Sequence, residues 1–468
     1  MNWQGKHVHF IGIGGIGMSG IAKMLLSQGA AVSGSDMVYS KKVKQLQDFG
    51  ARVAVGHSAE NIPAETEVVV VSAAIKRENV EYRAATRLGL RMMKYAEMLG
   101  LLMREKKGIA VSGTHGKTTT TALISTILQT AGLNPTFVIG GDVDKLGGSS
   151  KVGVGELFVV EACEYDRSFL NLSPNIAVLT CIEEDHLDYY QNLREIVGAF
   201  AQFCALVPQE GLIVANNQDR NVRAAVEGRK CPVETYGITV ESDWMSSEPR
   251  WVKDRNLFEL TYHGKRFGSF EMQIPGVHNA LDAIAAVAVC NRLSVDREVI
   301  AAGLASFGGV DRRFQVVGEC NGVTVVDDYA HHPTEIQVTL KAARDKFDGA
   351  PLWCVFQPHQ HSRTRFLLKD FARSFGNADR IIVPDIYFVR DSEEDRKSVS
   401  SMDLVGEISN LGGEAIYLPT FPEIIEYLCR NVRPGDVVMT MGAGTVGEVA
   451  RGLISRLSGG EEARKVPA

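Results

Sequence analysis

The stretch IAVSGTHGKTT, from Ile109 to Thr119, decides the fold of the middle of this chain. Its first four residues have the composition of a buried strand, and the residues from Lys117 onward have that of a helix. Between them, Gly113 and Gly116 permit a tight turn. In such a turn backbone N–H groups bind phosphates, the lysine neutralises their charge and the hydroxyl of Thr118 binds Mg²⁺. The stretch therefore predicts a strand, a phosphate loop and a helix.

This loop predicts an ATP site. The usual longer pattern has a glycine where this chain has Val111, so the loop is a shorter variant. A chance Gly-Lys-Thr at the start of a helix is the alternative, but the order of strand, loop and helix favours ATP. The predicted ATP-binding residues of the loop are Gly113, Thr114, His115, Gly116, Lys117, Thr118 and Thr119.

Acidic residues and a histidine follow the next two predicted strands. Glu161 ends one strand, and His186 follows the strand that ends at Cys181. Mg²⁺ prefers oxygen ligands, so Glu161 is the better candidate for a metal ligand. His186 is flanked by the carboxylates of Glu184, Asp185 and Asp188, and on this pattern alone it is either a functional or a structural histidine.

A second glycine pattern lies near the N-terminus, between a predicted strand and helix. It suits a diphosphate at the helix N-terminus, with Asp36 after the next strand as a partner for a ribose hydroxyl. The ligand is NAD or another nucleotide diphosphate on this evidence alone. The predicted binding residues are Gly12, Gly14, Gly15, Gly17 and Asp36. A third pattern, from Gly442 to Gly447, is either a similar site or a turn without a ligand.

Outward from these loops, predicted strands and helices alternate along the chain. This alternation is typical of α/β proteins with parallel sheets. We predict a Rossmann-like domain at 1–105, a central domain with a phosphate-loop ATPase-like parallel sheet at 106–310, and a Rossmann-like domain at 311–468. The stretch 239–273 predicts a small antiparallel lobe on the central sheet. The tail from about residue 458 lacks apolar periodicity, which predicts disorder.

Composition excludes several classes of protein. Among 468 residues, 50 Lys and Arg face 56 Asp and Glu, and a net charge of −6 argues against nucleic-acid binding. No apolar run reaches the ~20 residues of a membrane helix, and the N-terminus has no pattern of a signal peptide. The eight cysteines form no CxxC pair, which is typical of reduced thiols. We therefore expect a cytoplasmic protein.

Two polar clusters follow strands in the last third of the chain. The first spans 327–335 and includes His331 and His332; the second spans 357–365 and includes Arg363. Adjacent histidines point to different sides and no third zinc ligand has a suitable spacing. Arg363 is a candidate for binding a carboxylate or phosphate, whereas Arg365 is better explained as an exposed cation at the start of a helix.

Together these motifs resemble the Mur ligases of peptidoglycan synthesis over almost the whole chain, and most closely the members that join L-alanine to UDP-N-acetylmuramate. The segments that carry the resemblance are 12–22, 113–119, 161–170, 185–188, 278–281, 312–314, 328–335 and 357–364.

The resemblance implies a role for each motif. The glycine loop at Gly12 would bind the UDP diphosphate, and Lys117 the ATP phosphates. Thr118, Glu161 and His186 would bind metal ions. Asn279 and Asp282 would contact adenine, Arg313 the γ-phosphate, and Asp328 the nucleotide. Tyr329, His331 and Arg363 would form the L-alanine pocket.

The implied reaction uses ATP and Mg²⁺ to convert the lactyl carboxylate to an acyl phosphate, which the amine of L-alanine attacks. Charge stabilisation by Mg²⁺ and Lys117, with positioning of three substrates, would carry the catalysis. The catalytic residues implied are Lys117, Glu161, His186 and Arg313. The expected partners are UDP-N-acetylmuramate and L-alanine, and the expected state is a monomer or dimer.

The chain departs from the family pattern at three places. No lysine occurs between Asp185 and Gly211, where other members carry a carbamylated lysine that bridges two metals. Asp282 replaces a second asparagine, and Gln360-His361 replaces Arg-Tyr beside the amino-acid pocket. The last departure removes a cation beside the amino-acid pocket, which predicts a less strict preference for L-alanine.

Three alternatives remain at this stage. A recycling ligase that adds a preformed peptide to UDP-N-acetylmuramate shares several motifs, but Tyr329, Glu335 and the length favour the L-alanine reaction. An NAD-dependent oxidoreductase leaves Lys117 and Glu161 unexplained. A regulator that binds nucleotides would release no phosphate from ATP.

Overall fold

The structure is a computed structural model and describes residues 2–187, 189–389 and 391–459. It forms two compact units. The first comprises the chain up to Ser247 with Leu260–Gly268 and Leu281–Ala305, and the second comprises Glu248–Glu259, Ser269–Ala280 and the chain from Ser306. The α/β class with parallel sheets is confirmed. The domain limits 1–105, 106–310 and 311–468 stay predictions. The end of the tail, 460–468, and Asp188 lie outside the described residues.

The first sheet consists of five parallel strands in the order β3-β2-β1-β4-β5. Its elements are β1 His7–Ile11, α1 Ile16–Ser27, β2 Ala31–Asp36, α2 Lys41–Asp48, β3 Arg52–Val55, β4 Val68–Val71, α3 Val80–Arg87, β5 Arg91–Lys94 and α4 Tyr95–Met103. The central strand β1 is apolar and buried, as its sequence predicts. The strand order reverses between β1 and β4, which makes the loop after β1 the usual place for a ligand in such sheets.

The second sheet surrounds β6, the strand before the phosphate loop. Its elements are β6 Lys107–Ser112, α5 Lys117–Thr130, β7 Thr136–Val138, β8 Ser150–Lys151, β9 Leu157–Glu161, β10 Pro174–Leu179, α6 Leu193–Cys204, β11 Leu212–Asn216, α7 Arg220–Val226, β12 Val233–Ile238 and β13 Trp244–Ser246. The order is β13-β12-β11-β10-β6-β9-β7-β8. Parallel pairing with β9 and β10 brings the carboxyl ends of three strands together beside the loop.

The antiparallel lobe predicted at 239–273 is present. It consists of β14 Arg250–Val252, β15 Arg255–Tyr262 and β16 Lys265–Met272, and β15 pairs antiparallel with β13 and β14. Helices α8 Val277–Arg292 and α9 Arg297–Ala305 follow. Helix α9 approaches α5 closely at Gly303, where a Cβ would stand 2.9 Å from the Cα of Ile127.

The third sheet has six strands in the order β17-β18-β22-β19-β20-β21. Its elements are β17 Gln315–Cys320, β18 Val323–Asp328, α10 Pro333–Lys346, β19 Leu352–Phe356, α11 His361–Phe366, α12 Leu368–Arg373, β20 Arg380–Val383, α13 Glu393–Ser398, α14 Ser401–Asn410, β21 Ala415–Tyr417, α15 Phe421–Asn431, β22 Val437–Met441 and α16 Gly447–Leu457. Only β17, which the sequence patterns do not predict, is antiparallel to its neighbour. Apolar clusters cover both faces of this sheet.

Within the described part of the chain, no helix has both the length and the apolar composition that crossing a membrane requires.

Candidate active site

The loop between β6 and α5 has the backbone of a phosphate site. Gly113 and Gly116 have φ values of +147° and +79°, which favour glycine over other residues. Gly116 also precedes the first residue of α5. A Cβ on Gly116 would stand 2.5 Å from Oδ1 of Asp282, one of the predicted nucleotide contacts. The loop and Asp282 are therefore adjacent.

Two predicted phosphate-binding residues hold the loop to the end of β10. Thr114 N donates to Cys181 O at 2.8 Å, and its hydroxyl accepts from Glu183 N at 2.9 Å. His115 N donates to the thiol of Cys181 at 3.3 Å. These bonds fix the shape of the loop, so in this structure Thr114 acts as an anchor.

The Lys117 side chain is 13% exposed and its ammonium is paired with a buried carboxylate. Its Nζ donates to Thr114 O at 3.1 Å, to Gly113 O, and to both carboxylate oxygens of Glu164 at 3.0 Å. Burial alone would lower the pKa of Lys117, but the Glu164 carboxylate reverses this and raises the pKa above its ordinary value. A phosphate group entering the loop must take the place of Glu164 around this ammonium.

Glu161 and Thr118 meet beside Lys117. The Thr118 hydroxyl donates to Glu161 Oε2 at 2.9 Å, and the N–H of Gly140 donates to the same oxygen at 2.9 Å. The pair provides hydroxyl and carboxylate oxygens beside the place for phosphates. This donor set suits a hard divalent cation such as Mg²⁺.

His186 lies on the other side of Glu164. Its Nε2 is 3.8 Å from Glu164 Oε1, its ring centre is 5.0 Å from that of Tyr165, and its backbone is left-handed with φ of +54°. The structure thus brings together the predicted residues Lys117 and His186 through one carboxylate.

Glu164 is the site residue that the sequence analysis missed. It is buried, and the Tyr190 hydroxyl donates to its backbone carbonyl at 2.5 Å. Its signal was available, because it follows the predicted ligand Glu161 by three residues in the same segment after β9.

The glycine loop after β1 is held by its predicted partner Asp36. Gly14 N donates to Asp36 Oδ2 at 2.8 Å, and a Cβ on Gly14 would stand 2.9 Å from that oxygen. Gly17 has no room for a side chain either, because Tyr95 fills the space. The predicted ribose contact of Asp36 stays a prediction; the structure gives it the role of fixing the loop.

A third group of predicted residues lies in the second unit. The guanidinium of Arg313 is 5.0 Å from the ring centre of Tyr329, and the rings of Tyr329 and His331 are 5.4 Å apart. Glu335 accepts from His331 N at 2.9 Å and lies 3.9 Å from Arg313 Nη1. Arg313, Tyr329 and His331 therefore form one cluster at the start of α10.

The side chains of Asp328 and Asn279 form hydrogen bonds with backbone groups. The oxygens of Asp328 accept from Phe314 N and Ala330 N, both at 2.7 Å. Burial raises the pKa of Asp328 to about 6. Asn279 Nδ2 donates to Pro275 O at 2.6 Å. Their predicted nucleotide contacts stay predictions.

Arg363 lies in the first turn of α11, whose start is fixed by Asp391. This buried carboxylate accepts from His361 N at 2.5 Å and from the Ser362 hydroxyl at 2.6 Å. Gln360, the residue before the helix, has a left-handed backbone with φ of +70°. The departure from the family pattern at Gln360-His361 is therefore accommodated in an ordered turn.

The third glycine pattern, from Gly442 to Gly447, encloses an arginine. Arg312 Nη2 donates to Gly442 O at 2.7 Å, Nη1 donates to Gly444 O at 3.1 Å, and Nε donates to Asp327 Oδ2 at 3.0 Å. A turn that binds a side-chain cation on its carbonyls fits the prediction of a turn without a ligand of its own.

Known proteins match nearly the full length of this chain. Three family models match this chain. The model described as "Mur ligase family, catalytic domain" matches residues 7–107, and the model described as "Mur ligase middle domain" matches residues 111–290. The model described as "Mur ligase, glutamate ligase domain" matches residues 312–444. The chain is 46% identical over 446 residues to the UDP-N-acetylmuramate--L-alanine ligase of Caldanaerobacter subterraneus subsp. tengcongensis, with coverage of 95% of this chain and 96% of that protein.

Two solved structures are similar over nearly the full length. The UDP-N-acetylmuramate-alanine ligase MurC of Thermotoga maritima superposes with a TM-score of 0.83 at 28% identity, covering 97% of this chain and 100% of that chain. A murein peptide ligase of Psychrobacter arcticus 273-4 gives a TM-score of 0.71 at 25% identity, covering 98% and 100%. The chain belongs to the Mur ligase family.

Proposed function

We infer that this protein joins L-alanine to the lactyl carboxylate of UDP-N-acetylmuramate, with ATP as the energy source, in peptidoglycan precursor synthesis. The observation that carries this inference is the phosphate loop with Lys117 on Glu164 and Thr118 on Glu161, in a chain 46% identical along 95% of its length to an L-alanine ligase. We further propose that the protein acts in the cytoplasm and that the glycine loop after β1 binds the UDP diphosphate.

The chemistry requires activation of a carboxylate. Oxide is a poor leaving group, so ATP first converts the carboxylate to an acyl phosphate, from which phosphate leaves when the amine attacks. Both steps move negative charge onto oxygen atoms, and fixed cations stabilise such charge. We propose that Lys117 exchanges the Glu164 carboxylate for phosphate oxygens and remains protonated, because anionic oxygens surround its ammonium before and after the exchange.

We propose that Thr118 and Glu161 hold Mg²⁺, with Glu164 and His186 beside it. When bound, Mg²⁺ supplies Lewis-acid stabilisation of phosphate charge. Gly140 N–H orients Glu161 by a bond to Oε2, and this leaves Oε1 for another partner. His186 is 3.8 Å from Glu164, which favours a supporting role in place of the metal-bridging lysine that this chain lacks.

In the second unit we propose that Arg313 binds the γ-phosphate, and that Tyr329, His331 and Arg363 bind the amino acid. Asp328 fixes the backbone around Arg313 and Tyr329 through its bonds to Phe314 and Ala330. Asn279 and Asp282 would contact adenine from the first turns of α8. Water must be kept from the acyl phosphate, and substrate-dependent closure is the usual means.

The main experiment is a panel assay. Phosphate release from ATP is measured with UDP-N-acetylmuramate and each of several amino acids, and the product is identified by mass. We expect release that requires UDP-N-acetylmuramate and is fastest with L-alanine. Release with L-serine or glycine at similar kcat/KM would show that Gln360-His361 broadens the pocket.

A second function is favoured by Gln360-His361, which lacks the cation usual beside the amino-acid pocket, and by the similarity to a murein peptide ligase. That function is addition of a preformed peptide to UDP-N-acetylmuramate. Direct competition between L-alanine and an L-alanyl tripeptide decides between them. Preference for the tripeptide would overturn our inference.

A further inference from the structure

A loop at residues 139–149, here the Gly140 loop, contacts Glu161 through the backbone N–H of Gly140. It leaves β7 and returns into β8, and is closed by bonds from Ile139 N to Ser149 O at 2.8 Å and from Gly148 N to Val143 O at 3.1 Å. A Cβ on Gly140 would overlap Glu161 Oε2, so backbone and carboxylate are in direct contact. Gly140 N–H and the Thr118 hydroxyl thus both donate to Glu161 Oε2.

Lys42, from α2 of the first sheet, joins both sides of the Gly140 loop. Its Nζ donates to Asp142 Oδ1 at 2.8 Å, to Asp142 Oδ2 at 3.0 Å and to the Ser149 hydroxyl at 3.2 Å. The Lys42 and Asp142 side chains are 22% and 42% exposed, against 65% and 82% for the two side chains of the surface pair Lys107–Glu156. Partial burial and three acceptors distinguish this bridge from an ordinary surface ion pair.

Helix α2 also contacts the glycine loop that follows β1. Helix α2 begins after Asp36, which holds Gly14, and a Cβ on Gly14 would stand 3.1 Å from Cγ2 of Val43. Helix α1 approaches the base of the Gly140 loop at Gly20, where a Cβ would stand 3.0 Å from that of Ser150. The first two turns of α2 thus contact the glycine loop on one side and the Gly140 loop on the other.

We propose that Lys42 and Asp142 are positioning residues that couple the glycine loop of the first sheet to the carboxylate Glu161. Through Asp142 and Ser149, Lys42 fixes the Gly140 loop, and Gly140 N–H in turn fixes Glu161. The proposal rests on the proposed function in one respect, the assignment of Glu161 to the divalent cation.

The test uses the full-length protein and four variants: Lys42→Met, Asp142→Asn, the exchanged pair Lys42→Asp with Asp142→Lys, and the control Glu156→Gln from the exposed pair. The Mg²⁺ concentration for half-maximal ligation is measured at saturating substrates. We expect the two single variants to raise it about fivefold, a modest effect because they act through the loop, while the KM for L-alanine is unchanged. We expect the exchanged pair to recover most of the loss.

Two readouts do not depend on ligation. Hydrogen exchange of the peptide covering 139–149 should be faster in both single variants and unchanged in Glu156→Gln. Binding of Mn²⁺, measured by electron paramagnetic resonance with a non-hydrolysable ATP analogue, should weaken by the same factor as the Mg²⁺ dependence.

An unchanged Mg²⁺ requirement in both single variants would overturn the proposal. An equal loss in Glu156→Gln, or no recovery in the exchanged pair, would also overturn it. Should the wild-type protein release no phosphate with UDP-N-acetylmuramate, the proposed function fails. The exchange and Mn²⁺ measurements would still decide whether the bridge orders the loop and its metal ligand.

Discussion

Two glycine turns in this molecule have the same backbone conformation at their first glycine but bind different cationic side chains. Gly113 and Gly442 each follow a buried parallel strand, and each has a φ of +147°. In both, a cation donates to the carbonyl groups of the turn: Lys117 in the phosphate loop and Arg312 in the turn at Gly442. Both are glycine-rich turns between a strand and a helix, and only the first contains Gly-Lys-Thr.

The difference lies in how each cation is held. Arg312 is bound by a rigid fork to Gly442 O, Gly444 O and the buried Asp327. Lys117 has a single ammonium on a flexible stem, and its counter-ion Glu164 lies in another segment. We propose that a phosphate replaces Glu164 at Lys117, whereas Arg312 remains bound in the turn at Gly442. We propose that a lysine with a displaceable carboxylate partner, more than the glycines, distinguishes a phosphate-binding turn from a structural one.

Replacing Lys117 should have the largest effect. Lys117→Ala removes the charge that we assign to the ATP phosphates, and we expect kcat/KM for ligation to fall by about 10³-fold or more. UDP-N-acetylmuramate should still bind within about twofold, as measured by calorimetry, because the glycine loop belongs to a different sheet. Lys107→Ala, at an exposed pair of the same sheet, is the control and should be fully active. Loss of UDP-N-acetylmuramate binding together with loss of ligation in Lys117→Ala would contradict the assignment of separate sites.

Replacing Arg312 tests the other turn. Arg312→Ala leaves the Asp327 carboxylate buried without its cation, and we expect the free energy of unfolding to fall by about 3 to 4 kcal/mol. The neighbouring variant Arg313→Ala is a matched control. Its ion pair is long, at 3.9 Å, so it should lose less than about 1 kcal/mol of stability but most of the ligation activity. Equal losses of unfolding free energy for Arg312→Ala and Arg313→Ala in urea would show that the two arginines do not have separate roles in stability and ligation.

Asp328, whose backbone carbonyl accepts from Gly442 N, makes the same region sensitive to pH. Burial raises its pKa to about 6, while an unfolded aspartate titrates near ~3.9. The folded chain then binds more protons between these values, so the contribution of Asp328 to stability falls as pH rises from about 4 to about 6. Two pKa units correspond to about 3 kcal/mol.

The measurement for Asp328 is the difference in unfolding free energy between the wild type and Asp328→Asn from pH 4 to pH 8. The asparagine has a constant cost from its altered hydrogen bonds. The unfolding free energy of the wild type should fall relative to that of Asp328→Asn as the pH rises, and the difference should level off above pH 6. A difference independent of pH would mean that the carboxyl is ionised over this whole range.

The smallest effect is expected at the glycine loop after β1. Asp36→Ala removes the acceptor of Gly14 N–H, and we expect the KM for UDP-N-acetylmuramate to rise about tenfold while the KM for ATP stays the same. Asp36→Asn retains an acceptor oxygen and should lie closer to the wild type. A larger loss in the asparagine variant than in the alanine variant would indicate that the charge of Asp36 matters more than its bond to the loop.

Much of the fold follows from local sequence. The apolar runs before Gly12, Gly113 and Gly442 are recognisable as strands because they are buried on both faces. Strands β3 and β5 have exposed, mixed residues at the edges of the first sheet, and their patterns are correspondingly weak. Strand β17 is an antiparallel edge strand, whose pairing depends on the rest of the sheet.

The site was predictable where one segment carries the chemistry and less so where it depends on contacts between segments. Lys117, Thr118 and Glu161 follow from loop and strand-end patterns. The roles of Glu164 as partner of Lys117, and of Asp36 as anchor of Gly14, depend on distances across 47 and 22 residues of chain. Nothing in the local pattern at Lys42 or Asp142 indicates that they meet.

We propose above all that Lys117 of the phosphate loop serves the ligation of L-alanine to UDP-N-acetylmuramate. The most direct test is phosphate release from ATP by the wild-type protein with L-alanine, with and without UDP-N-acetylmuramate, and by Lys117→Ala under the same conditions. We predict release and amide product only when the wild-type protein has all three substrates. Phosphate release of equal rate in Lys117→Ala, or release without amide product when all substrates are present, would contradict this account.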